Sequence, residues 1–248
     1  MLRKFYTAAL FILLLLGLTA CGGADDPAVP TPPDIPGQSQ NSNLSESVPE
    51  KIPNEQDSEI GTENSILIAY FTWAENTVVE NPSAVDTDAT TSASVLAPGH
   101  VAQMAAWIQE ETGGDLFSIV TTEPYSSDYD ECLNRAADEK ADNARPALVN
   151  SVDNMADYDV IFLGYPDWWY TCPMAIHSFL DSYDFTGKTV IPFCAHGTSG
   201  LASSVRDIEA ALPGVTVLDA VGVQRPGMDT PLETARATVT DWLAGLEY

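Results

Sequence analysis

Basic residues are scarce in this chain. Its 248 residues include 10 Lys and Arg against 36 Asp and Glu, a formal charge of −26. Residues 65–248 hold 7 of those bases and 27 of the acids, a net −20. Such a surface repels phosphate backbones, so nucleic acid is excluded as a partner class. The acidic excess reads as solubility outside the cell. Histidine is equally thin at three residues, and no Cys-x-x-Cys spacing occurs, which leaves little material for a metal centre. Beyond Cys21 an odd three cysteines remain, Cys132, Cys172 and Cys194. That count excludes a fully paired disulfide framework and leaves one pair plus a free thiol open. Long apolar runs are missing as well: the longest, Ala8–Leu18, is shorter than the roughly 20 residues of a spanning helix.

What surrounds that run gives it a meaning. Arg3 and Lys4 precede it, and Leu18-Thr19-Ala20-Cys21-Gly22 follows. A basic start, a short apolar core and a small-residue cleavage site make a secretory signal over residues 1–20. The Cys directly after the small residues resembles the bacterial lipoprotein lipobox. That resemblance implies cleavage before Cys21, a diacylglyceryl group on its sulfur, and an extracytoplasmic protein lipid-anchored to the cell membrane. Loss of Arg3 and Lys4 then leaves 8 bases against 36 acids, or −28.

Residues 21–64 read as an acidic, Pro-rich disordered tether. Within 22–64 lie seven of the chain's 17 prolines, nine acids and one base, Lys51. Such a composition buries too little apolar surface to offset the entropy of ordering.

The remaining 184 residues, 65–248, suit one domain. Ile66–Phe71 is an apolar run rich in β-formers. His100–Thr112 carries Val101, Met104, Ala105 and Ile108 at helical spacing and is stopped by Gly113-Gly114. Strands are expected at Asp115–Val120, Val160–Gly164, Lys188–Cys194 and Val215–Asp219, with a bulge or break at Pro192. Helices are expected at Asp128–Ala141, Pro173–Tyr183, Ser199–Leu212 and Thr230–Leu246. Val78–Gly99 has no clear period and reads as an insertion. Strands alternating with helices define an α/β three-layer sandwich on a five-stranded parallel sheet. The expected strand order is 2-1-3-4-5, with the switch point between the first and third strands.

Ligands of such sheets sit beyond the carboxyl ends of the strands. Three loops converge there: Thr72–Thr77, Tyr165–Pro173 and Ala195–Gly200. The first offers Thr72, Asn76 and Thr77 as hydroxyl and amide donors able to cradle a phosphate. The second holds Trp168-Trp169-Tyr170, three large aromatics that are costly to expose and that a flat aromatic ligand would cover. The third is rich in Gly, Ser and Thr and permits close backbone approach.

Together these residues resemble the flavodoxin-like family. The phosphate loop of that family, Phe-Ser/Thr-Trp-Ser-Gly-Asn-Thr, corresponds to Phe71-Thr72-Trp73-Ala74-Glu75-Asn76-Thr77, and its Gly-Tyr-Pro-x-Trp-Trp run corresponds to Gly164–Trp169. Phe185–Thr189 and the stretch to Gly200 also fit. The resemblance implies noncovalent FMN. Thr72, Trp73, Ala74, Glu75, Asn76 and Thr77 would surround the phosphate. Pro166, Asp167, Trp168, Trp169 and Tyr170, with Ala195, His196, Gly197, Thr198, Ser199 and Gly200, would flank the isoalloxazine. Two departures stand out. Glu75 replaces the family's Gly and is expected to repel a phosphate. The insertion at 78–99 is expected to displace the helix start that helps bind phosphate.

The function this implies is a membrane-tethered, FMN-binding electron-transfer flavoprotein of flavodoxin or quinone-reductase type. Its partner would be a redox protein or a small-molecule acceptor. The alternative is a non-redox binding module on a flavodoxin scaffold that has lost FMN, a reading to which Glu75 gives substance. A third reading makes Cys194 a nucleophile activated by His196, which requires a regular strand end.

Overall fold

A computed structural model describes residues 65–92 and 94–248; the signal segment, Cys21 and the tether lie outside the described residues. Six parallel strands, β1 (Ile66–Tyr70), β2 (Asp115–Ser118), β3 (Val160–Pro166), β4 (Thr189–His196), β5 (Thr216–Val217) and β6 (Val221–Gln224), form one sheet. Their order is β2-β1-β3-β4-β5, as expected, with β6 also pairing β4. The helices are α1 (Thr87–Ser92), α2 (His100–Thr112), α3 (Tyr129–Ala141), α4 (Met174–Asp181), α5 (Ser204–Ala211) and α6 (Leu232–Ala244).

Period-2 alternation divides the sheet between two cores. Leu67, Ala69, Ile161, Leu163, Val190 and Cys194 face the side carrying Ala175, Phe179 and Ile208 of α4 and α5. Ile68, Tyr70, Phe162, Ile191 and Phe193 face Met104, Ile108 and Val239 of α2 and α6. Both faces are covered, so the central strands are apolar throughout, as befits a parallel sheet.

Local signals set the helix ends. Asp128 caps α3 by accepting from the Glu131 N–H at 3.0 Å. Gly113, at φ 73°, closes α2, its N–H donating to Gln109 O at 2.8 Å.

Pro192 does not break its strand. Leu163 pairs with Pro192 inside a continuous β3–β4 ladder. The break falls on the neighbouring strand instead. Leu218 N–H donates to Val190 O and Arg225 N–H to His196 O, so even-numbered residues of β4 face the β5–β6 flank. Pro192 lies opposite the gap between Val217 and Val221, where its missing N–H deprives no ladder partner. The expected fifth strand, Val215–Asp219, shortens to β5, and β6 is a further strand beyond it.

The insertion is folded. It contains a 3₁₀ turn at Pro82–Ala84 and α1, and it buries Ala89 and Val95 in the core. Asp86 ties it to α3 by accepting from Tyr129 N–H at 3.2 Å.

Candidate functional site

The strand ends open into a cavity of about 470 Å³. Its first wall begins where β3 leaves the sheet. Asp167 N–H donates to Ala195 O at 2.9 Å, holding the loops after β3 and β4 together. Trp168 and Thr171 then exchange backbone hydrogen bonds of 2.9 and 3.2 Å across a two-residue turn. The central residues of that turn, Trp169 and Tyr170, have φ of 53° and 64°. Positive φ at both centres is the signature of a primed hairpin turn, which ordinarily selects Asn-Gly. For large L-residues the left-handed region costs roughly 1–2 kcal/mol each. External ties hold the turn: the Trp169 indole N–H donates to Leu133 O at 2.8 Å, Lys140 Nζ donates to Trp169 O at 2.6 Å, and the Ser203 hydroxyl donates to Tyr170 O at 2.8 Å. Strain of this kind concentrates at ligand clamps.

The two tryptophans differ. Trp168 packs edge-on against Phe71, Tyr125 and Trp73, with centroids 5.4, 5.1 and 6.3 Å away. Trp169 is 38% exposed and Tyr170 66%. Trp169→Ala is therefore expected to cost the fold little and to weaken binding of a flat ligand by tenfold or more. Trp168→Ala removes part of a ring cluster and should cost roughly 3–5 kcal/mol of stability. Denaturation and ligand titration of both variants check this; equal stability losses contradict it.

The second wall comes from the loop after β4 and is polar. Ser199 donates a short hydrogen bond to Asp167 Oδ2. Asp167 Oδ1 and His196 Nδ1 are buried without a partner. Burial raises the Asp167 carboxyl above the usual carboxylate range, opposed by Ser199, His196 and Lys140.

At the far end, Thr72 and Trp73 meet the start of α2, where His100 and Val101 line the cavity. The insertion thus returns the helix N-terminus to the site rather than displacing it. Gly99 makes this approach possible: at φ 78°, a Cβ there would lie 2.3 Å from Thr72 Oγ1. Arg225, following β6, also lines this end and pairs with Asp229 at 2.5 Å. A helix N-terminus and a hydroxyl give this end donors for an anion, while Asp229 balances the Arg225 charge beside them. Burial, with the nearby Arg225 charge, lowers the pKa of His100 from 6.5 to about 4. The folded state disfavours the proton that the unfolded chain accepts, so stability should fall as pH drops from about 6.5 to about 4. His100→Gln should flatten that decline in urea titrations at pH 7 and 4.5. An unchanged slope contradicts it.

Of the residues expected at the site, Thr72, Trp73, Pro166 to Tyr170 and Ala195 to Ser199 line the cavity; Ala74, Glu75, Asn76, Thr77 and Gly200 do not. Glu75 faces away, accepting from the Tyr70 hydroxyl at 3.1 Å and from Ser118. Its carboxylate is therefore not among the groups that line the cavity. Asn76 is fully engaged with the chain: Nδ2 donates to Thr72 O and Ile119 O, and Oδ1 accepts from Thr121 N–H and its hydroxyl. Thr77 Oγ1 donates to Tyr125 O at 2.8 Å. The side-chain donors of Asn76 and Thr77 thus fasten the loop, and His100 and Val101 line the cavity. His100, Val101, Tyr129, Cys132, Leu133, Ala136 and Arg225 are lining residues that sequence reasoning missed. Pro98-Gly99 ahead of the α2 period was the available signal for the first two.

The strand end is regular, but Cys194 is fully buried in the core while His196 faces the cavity. All three cysteines in the domain are free and buried. Burial pushes the Cys132 and Cys172 thiols up to about 12 and Cys194 well above its ordinary range. These thiols are poor nucleophiles, and the Cys194–His196 reading is set aside.

Comparison with known proteins agrees with this architecture. The flavodoxin family model matches residues 90–239, and the chain belongs to that family. A Bacteroides eggerthii protein assigned as a flavoprotein is 26% identical with a TM-score of 0.54, covering 73% of this chain and 96% of its own. A Bacteroides uniformis counterpart is also 26% identical with a TM-score of 0.55, covering 73% and 98%. A Lactobacillus acidophilus flavoprotein in complex with FMN is 20% identical with a TM-score of 0.49, covering 66% and 95%. No curated protein matches the chain.

Proposed function

We propose that this chain is a flavoprotein that binds FMN noncovalently and transfers electrons while tethered outside the cell membrane through Cys21. The observation that carries the cofactor reading is the strained Trp169-Tyr170 turn. It holds two large rings on a cavity whose far end is formed by the N-terminus of α2. Family membership supports the same ligand.

The residues fit the group. Gly99 provides the close approach, Thr72 the hydroxyl and α2 its first N–H groups for a phosphate, with the Asp229-paired guanidinium of Arg225 beside them. Trp169 and Tyr170 provide stacking surface for a planar ring system, and Asp167 and His196 bring polar groups to the same cavity. When bound, the flavin supplies reversible electron transfer; the chain supplies orientation and electrostatics. Edge-on packing against Trp73 and Tyr125 fixes the Trp168 ring that lines the cavity. The reading as a scaffold that has lost FMN rested on Glu75 and on a displaced helix start, and neither obstacle is present in the cavity.

The visible absorption spectrum of the purified protein, with and without added FMN, tests the cofactor. Flavin bands retained through desalting are expected; a colourless protein that rejects added FMN contradicts the proposal. The tether has its own test. Cys21→Ala should release the protein from membranes or leave its precursor uncleaved. Normal processing with unchanged membrane retention contradicts it.

A further inference from the structure

Lys140 is one of seven bases in an acidic domain, and its ammonium makes no ion pair within 4.0 Å among the described residues. It donates instead to a single backbone carbonyl, that of Trp169, at 2.6 Å. The same residue is gripped at its other end by the same helix, because its indole N–H donates to Leu133 O at 2.8 Å. Leu133 and Lys140 are seven residues apart, two turns along one face of α3. Helix α3 therefore holds Trp169 by both backbone and ring. That double hold acts on a residue at φ 53°, a conformation a free tryptophan would leave.

We infer that Lys140 is a positioning residue for the ring-binding wall: by donating to the Trp169 carbonyl it keeps the Trp169-Tyr170 turn left-handed and the indole set on the cavity. The inference rests on the FMN reading for its functional consequence, but the hold itself does not need a ligand. A charge-assisted hydrogen bond to a backbone carbonyl is among the stronger single ties available at a surface. Loss of it lets the turn relax toward negative φ, which swings the ring and withdraws the stacking partner. The second tie on the turn, from Ser203 to Tyr170 O, holds the far residue and leaves Trp169 to Lys140 and Leu133.

The experiment uses the full chain as wild type, Lys140→Met and Lys140→Arg. Lys140→Met removes the donor and keeps the length; Lys140→Arg keeps donor and charge. The first readout is hydrogen exchange at the Trp169 indole N–H, followed by NMR without ligand. It should quicken at least tenfold in Lys140→Met and stay within twofold of wild type in Lys140→Arg. The second is FMN affinity, which should fall at least fivefold in Lys140→Met and recover in Lys140→Arg, with thermal midpoints unchanged throughout. Unchanged indole exchange in Lys140→Met overturns the inference. So does an affinity within twofold of wild type in that variant. If the wild type binds no FMN while the exchange pattern holds, the hold on Trp169 stands and the cofactor reading falls.

Discussion

Asn76→Ala is expected to destabilise the domain by roughly 3–5 kcal/mol. The side chain is buried and makes four hydrogen bonds that join the loop after β1 to the segment following β2. Alanine would leave Thr72 O, Ile119 O and Thr121 N–H without these partners, at about 1–3 kcal/mol for each group that stays unsatisfied. Relaxation and water entry offset part of the sum. The remainder is still a large fraction of a typical domain stability of about 5–15 kcal/mol. Urea denaturation of both proteins measures the loss. A loss below 1 kcal/mol would mean that the loop is held by Thr77 and the ring cluster instead.

Gly99→Ala should weaken FMN binding by at least tenfold, about 1.4 kcal/mol. The new Cβ would lie 2.3 Å from Thr72 Oγ1, at a φ of 78° that an L-residue adopts only with strain. Either Thr72 or the start of α2 must move, and both line the far end of the cavity. The conformational cost of roughly 1–3 kcal/mol is small enough to leave the domain folded. Calorimetric titration with FMN, alongside a thermal melt, separates the two effects. An affinity within twofold of wild type would show that phosphate recognition does not use this corner.

Much of this arrangement was legible in the residues. Gly113 and the apolar spacing of α2 marked that helix because stops and periods are local. The strand order followed from alternation of strands and helices, and the aromatic loop stood out because exposed rings are costly. What escaped notice depends on distant partners. Asn76 has the same donors and acceptor whether it serves a ligand or the backbone; only Ile119 and Thr121, more than forty residues away, decide the matter. Pro192 looked like a strand breaker because the gap that accommodates it lies in another strand. The insertion hid the return of Gly99 and His100 to Thr72, since nothing local reports where an aperiodic segment ends in space. Arg225 follows a four-residue strand too short to announce itself.

On the proposed reading a planar flavin lies against the Trp169-Tyr170 turn with its phosphate at the α2 start. Titration of the purified protein with FMN, followed by flavin fluorescence, tests it most directly. One equivalent should bind with a dissociation constant below about 1 μM, a binding free energy of roughly 8 kcal/mol. The fluorescence should be quenched by ring contact, and riboflavin, which lacks the phosphate, should bind at least tenfold more weakly. Binding of FMN and riboflavin with equal affinity, or no quenching at saturating FMN, would contradict the account.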